Sequence, residues 1–374
     1  MMPMMRITLD EMLRPSFSQS EYQAFRGAAP ELIRAERENM SLPELCRSLV
    51  MTDINTQDSD GKTLLMHVLS GDYRKIFDAA SIDEGTYLDN PYIEKIIRES
   101  FGTGVRYEIV KLLVERGADV MAMDSGGRTA LMYAAEALCG RDTLNLLMDC
   151  GVDVNAADDK GCTALMYALK KACHVFAGTI GTLIERGADL GIEDENGRTA
   201  IFFADEDPMQ YLLEHGADPN HTDRFGHTCM VYQDRITSIK TLMNYGADIN
   251  IQDEHGRTPL ILKLSQKYSP RHRWRIWEER YTSIALVKAA LVKAGADVNI
   301  QDENGSTALM YAVGCETSGR IGEEVKRLMI VRTLLEHGAD VNIRNSEGLT
   351  ALAAAQKHND PELIGLLRKY GAEV

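Results

Sequence analysis

An all-α repeat solenoid is the expected architecture of this chain of 374 residues: helix-turn-helix units joined by β-hairpin-like fingers, with insertions between the helices of some units. Two recurring elements carry that expectation, and their spacing adds a third ground. Gly-Ala-Asp or a near variant occurs at Gly117, Gly151, Gly187, Gly216, Gly246, Gly295, Gly338 and Gly371. D-x-x-G-x-T-x-L, with small changes, starts at Asp58, Asp124, Asp158, Asp194, Asp223, Asp253, Asp302 and Asn345. From each Gly-Ala-Asp glycine to the next threonine (129, 163, 199, 228, 258, 307, 350) the step is 12 residues. From each threonine to the following glycine it varies: 54, 22, 24, 17, 18, 37, 31 and 21. One half of the unit is fixed in length and the other is elastic.

Local chemistry assigns the halves. In the fixed half, glycine after an apolar helical run suits a left-handed helix end, and Asp-x-x-Gly suits a tight turn bonded by the aspartate side chain. The threonine that follows is placed to N-cap the next helix. The fixed half is therefore helix stop, finger, helix start. The elastic half is helix, turn, helix, with runs such as Tyr107–Arg116 and Val331–His337 spaced for a second helix. The steps of 17 and 18 shorten the fourth and fifth units by about one helical turn each.

Asp253-Glu-His-Gly-Arg-Thr-Pro-Leu260 and Leu334-Leu-Glu-His-Gly-Ala-Asp-Val-Asn342 resemble the two halves of an ankyrin repeat. The likeness runs from about residue 51 to the end, with Met51–Asn55 a degenerate copy of the joint. The resemblance implies a non-enzymatic protein-binding scaffold or adaptor that uses a concave face, finger tips or insertions. Where the family pattern has a loop-tying histidine, this chain has methionine in Leu131-Met-Tyr-Ala134, Leu165-Met-Tyr-Ala168 and Leu309-Met-Tyr-Ala312, an arrangement associated with bacterial arrays.

Residues 1–55 are expected to be an N-terminal segment with a degenerate capping repeat. Residues 56–374 are expected to hold about eight repeats, with insertions near 71–104, 265–281 and 314–326. The first insertion has the length of one repeat and fits either a worn repeat or an excursion with its own helix. The second holds both tryptophans of the chain among basic residues, so Arg271, Arg273, Trp274, Arg275 and Trp277 are candidate partner anchors, against the plainer role of packing on the solenoid. The third position of each turn supplies tip candidates: Lys160, Asn196, Phe225, His255 and Asn304. Acidic residues beside them, Glu195, Glu254 and Glu303 among them, read as a solvated stripe more readily than as a docking site.

A formal charge of −15 disfavours wrapping of nucleic acid or an anionic membrane. Seven dispersed cysteines without a C-x-x-C pair argue against a disulfide framework or zinc finger, and point to buried thiols in a reducing compartment. Phosphate-loop, dinucleotide, zincin and nucleophile-elbow motifs do not occur. His215, His221 and His227 recur every six residues near Cys229, but His215 and His337 hold a helix-end position and the other two fall on a finger expected to be mobile, so no metal is assigned. The expectation is a soluble cytoplasmic monomer with no enzymatic activity, cofactor or membrane span, binding a partner protein. A bacterial effector delivered into a host, or an enzyme using the N-terminal segment and first insertion, is the alternative.

Overall fold

The computed structural model describes residues 55–71, 103–171, 178–265, 288–314 and 323–373. It divides into two compact units, Met1–Asp189 and Leu190–Val374.

In the first unit the helices alternate as first and second members of repeats. The first members are α1 (Leu64–Ser70), α3 (Ala130–Glu136) and α5 (Ala164–Lys171). The second members are α2 (Thr103–Glu115), α4 (Arg141–Asp149) and α6 (Thr179–Glu185). The threonines begin the first helices as expected: Thr63 Oγ1 accepts from Met66 N at 3.4 Å, and Thr129 and Thr163 repeat the bond to Met132 and Met166. Each Leu-Met pair that follows is buried, so Leu65, Met66, Leu131, Met132, Leu165 and Met166 form the core with Leu144, Leu147, Ile180 and Leu183 of the second helices. Full burial of such a side chain is worth roughly 1.5–3 kcal/mol, so this stacking outweighs any helix propensity of seven-residue segments.

The second unit opens with two shortened repeats. Their first helices are reduced to four-residue 3-10 turns, Ala200–Phe203 and Cys229–Tyr232, each followed by a full second helix, α7 (Glu206–Glu214) and α8 (Ile236–Asn244). Then come α9 (Pro259–Leu264), helical residues 288–293, α10 (Ala308–Gly314), α11 (Glu323–Glu336), α12 (Ala351–Lys357) and α13 (Pro361–Lys369).

Two of the expected threonine caps are corrected here. Neither Thr199 nor Thr228 makes a side-chain cap bond. The tight turn sends Phe202 N to Thr199 O and Val231 N to Thr228 O, both at 3.1 Å, so each closes through the threonine carbonyl alone, whereas Met132 N bonds both the carbonyl and the hydroxyl of Thr129. Thr228 Oγ1 is buried with no hydrogen-bond partner among the described residues. Thr228→Val is therefore expected to leave the denaturation midpoint unchanged or raise it, whereas Thr258→Val, which removes a bond to Ile261 N, should cost about 1 kcal/mol. Equal losses in urea unfolding would contradict this. The end of the second short turn is closed by the following repeat: Lys263 Nζ donates to Gln233 O at 2.6 Å, and burial pushes that amine down to about 8.

Candidate functional site

The fingers are where sequence and structure converge, and their bases are built alike. The first aspartate of each turn accepts at Oδ1 from the amides two and four residues on; for Asp158 these are Lys160 N (2.9 Å) and Cys162 N (2.8 Å). Its Oδ2 is then bound by a side chain of the following first helix or of the turn itself. Nine residues on from the carboxylate, Tyr133, Tyr167, Tyr232 and Tyr311 donate their hydroxyls to Asp124, Asp158, Asp223 and Asp302, and His67 Nε2 meets Asp58 in the same place. Asp194 and Asp253 are followed at that position by Phe203 and Leu262, and there Arg198 and Arg257, four residues on, take the second oxygen at 2.7 Å. The expected loss of a loop tie at the methionine positions is thus made good one residue later by tyrosine. The methionine itself goes into the core.

Burial and the bond to a carboxylate raise the pKa of Tyr133, Tyr167 and Tyr311, the last pushed up to about 12. A group raised on folding contributes stability that is complete below its unfolded value and lost as pH climbs toward the folded one. Melting temperature is accordingly expected to fall between pH 10 and 12, and the Tyr133→Phe/Tyr167→Phe/Tyr311→Phe variant to fall less steeply over that window. Parallel curves would show that other groups control the alkaline transition. Asp194 moves the other way: burial works to raise it, but the bonds from Arg198 outweigh that and hold it below the usual carboxylate value.

Neighbouring fingers are joined by a clamp that sequence reasoning overlooked. An asparagine four residues after the Gly-Ala-Asp glycine donates to the carbonyl of the next such glycine and accepts from the next aspartate amide. Asn155 bridges Gly187 O (3.2 Å) and Asp189 N (2.8 Å); Asn220 bridges Gly246 and Asp248; Asn299 bridges Gly338 and Asp340. The signal was present in the Gly-x-x-x-Asn spacing at 151, 216, 246, 295 and 338. At 121 that position is an exposed methionine.

With the backbone satisfied in this way, the tip side chains project. Phe225 is 54% exposed, with its ring 5.9 Å from that of His227. Lys160 and Asn304 are exposed, and Asn196 is half-buried. His255 is tied to the next finger, its Nδ1 3.0 Å from Glu303 Oε2, and this bond raises its pKa. Arg271, Arg273, Trp274, Arg275 and Trp277 lie outside the described residues, as do the capping segment and most of the three insertions.

Two expectations change. Cys139, Cys162 and Cys229 are buried, but Cys150 is exposed, because it ends α4 on the outward side of the helix. His227 does not ride a mobile finger: it is buried, with Nε2 3.3 Å from Asp253 Oδ2 of the next turn. His221 Nε2 lies 3.0 Å from Gly197 O, and His215 closes its helix end on Tyr211 O as foreseen. No group of three metal-ligating side chains occurs among the described residues. No described helix is long and apolar enough to cross a membrane.

In the first unit a run of cations from the fingers and first helices lies over first-helix tyrosines. Arg128 lies 4.1 Å from the ring centroids of both Tyr133 and Tyr167, and ion-pairs with Glu136. Lys62 stands 5.7 Å from the Tyr133 ring and Lys170 5.0 Å from that of Tyr167.

Pairs of short helices stacked in series, with aspartate-tied fingers between repeats, define a helical repeat protein whose parts are held only by neighbours. A family model described as ankyrin repeats (3 copies) matches residues 102–158, 137–223 and 279–374. The chain belongs to the ankyrin-repeat family, whose repeats generally serve as protein-protein interaction modules. No curated protein matches the sequence.

Proposed function

We propose that this protein is an adaptor: a non-enzymatic scaffold that holds a partner protein on its finger tips, first-helix faces or inter-helix insertions. The observation that carries the reading is the division of labour in the fingers. Backbone polar groups are satisfied by buried aspartates and asparagine clamps, so the tips keep a fixed backbone while Phe225, Lys160, Asn196 and Asn304 present side chains that are exposed or half-buried. A rigid surface that needs no ordering on contact binds at lower entropic cost. Arg271, Arg273, Trp274, Arg275 and Trp277 are proposed as further anchors, and His255 as a tip residue whose imidazole is shared with Glu303.

Affinity capture with mass spectrometry tests this, using the full chain, a variant with Lys267 to Glu279 replaced by a Gly/Ser linker, and Phe225→Ser. A protein retained by the full chain and lost with one variant supports the adaptor reading and places its contact. Captured proteins that do not differ from those on an unrelated acidic protein would overturn it.

A further inference from the structure

Outside the finger tips, the first-helix side of the first unit gathers cations in an acidic chain. Lys62, Arg128, Lys170 and Lys171 lie along it with Glu136, which is ion-paired to Arg128 and 3.8 Å from Lys171, while the exposed carboxylates Asp60 and Asp159 stand on the adjoining finger tips. The finger carboxylates beneath, Asp58, Asp124 and Asp158, are each occupied at both oxygens, by backbone amides and by His67, Tyr133 or Tyr167. The contacts make the row continuous: Lys62 and Arg128 meet at Tyr133, Arg128 and Lys170 meet at Tyr167. Lys170 and Lys171 are exposed and Lys62 is half-buried, and the Lys170 amine rests 3.1 Å from Cys162 Sγ at the edge of the finger.

We infer that this row is a docking strip for an acidic segment of a partner protein, laid across the first helices so that its carboxylates meet Lys62, Lys170 and Lys171. The inference rests on the adaptor reading and names the chemistry of one partner. Three repeats at a spacing of about 10 Å give two steps, and an extended segment of about six residues covers them. Charge selects a carboxylate-bearing segment, since the four cations of the row outnumber Glu136 together with the tip carboxylates Asp60 and Asp159. Nucleic acid fits less well on two counts. Single-stranded binding draws on stacking of bases against open aromatic faces, and here both rings already carry the chain's own cations. A polyphosphate also brings one charge per nucleotide into the field of a chain at −15, whereas a short acidic segment brings few. Arg128, fixed by Glu136 and two rings, positions the tyrosines and is not assigned a ligand contact.

The test is fluorescence anisotropy with the full chain and a labelled twelve-residue peptide alternating Glu and Ser, beside its Gln/Ser counterpart and a labelled twelve-nucleotide deoxythymidine strand, at low and at physiological salt. The variants are Lys62→Gln/Lys170→Gln/Lys171→Gln, the corresponding Glu triple, and Lys111→Glu as a control on the exposed side of α2, each first shown to keep its helical circular dichroism. The acidic peptide is expected to bind more tightly than the Gln/Ser peptide, to weaken with salt, and to lose at least tenfold in affinity with the Gln triple while changing less than twofold with the control. Equal binding of the acidic and Gln/Ser peptides, or no loss with the Gln triple, overturns the proposal. So does oligonucleotide binding that exceeds peptide binding and disappears with the same triple. If the peptide result fails while affinity capture still finds a partner lost with the tip or insertion variants, the adaptor reading stands and only the acidic-segment assignment falls.

Discussion

Asp158→Ala is expected to lower the stability of the first unit by about 3 kcal/mol, because it removes a charged acceptor from three donors, one buried and two half-buried. Two are backbone amides, Lys160 N and Cys162 N, and the third is the Tyr167 hydroxyl at 2.6 Å. Tyr167→Phe deletes only the last and should cost about 1 kcal/mol. Asp158→Asn belongs near the smaller figure, since Asn345 shows that an amide oxygen keeps both backbone bonds, to Glu347 N at 3.1 Å and Leu349 N at 2.9 Å. Urea unfolding followed by helical circular dichroism orders the three. An alanine variant no worse than Tyr167→Phe would mean that the carboxylate does not organise the finger.

Glycine substitutions at two positions of similar backbone conformation should separate strain from stacking. Gly216 (φ 93°) and Gly226 (φ 74°) are both left-handed, so alanine costs about 1 kcal/mol at either. Open space surrounds a Cβ at Gly216, whereas one at Gly226 would lie 3.0 Å from Asp253 Cα on the neighbouring finger. Gly226→Ala is therefore expected to cost about 3 kcal/mol against about 1 for Gly216→Ala, the excess being the push on the next turn. Equal costs in the same unfolding measurement would show that the fingers separate without penalty.

The repeat frame was legible because its two glycines and its threonine each answer to one local requirement: a left-handed residue, a tight turn, a helix start. The shortened fourth and fifth units were legible as arithmetic, but their 3-10 character was not. A four-residue turn can close by i to i+3 bonds without its threonine side chain, and composition does not distinguish that from a short α-helix. The tyrosine tie at Asp-x8-Tyr was in the sequence, but it joins a finger to the helix after it, a contact that periodicity within one helix does not reveal. The exposure of Cys150 depended on which side of the last helical turn it fell, a matter of one residue. His227 shows the opposite error: its neighbours Phe225 and Gly226 mark a turn, but its imidazole is drawn under the next finger by Asp253, a contact made across repeats that no local pattern contains.

The asparagine clamps have a mechanical consequence. In the second unit they sit at Asn220, Asn250, Asn299 and Asn342, so adjacent clamps are 30, 49 and 43 residues apart. Each holds its neighbour by at most a pair of hydrogen bonds, so a repeat comes free only when the buried helix contacts beside them part as well. Pulled from its ends, this unit would yield in separate events rather than all at once. The chain released would lengthen by about 10, 17 and 15 nm at roughly 3.5 Å per residue. The insertions thus make the array an uneven ruler, in which each rupture is identified by its own length.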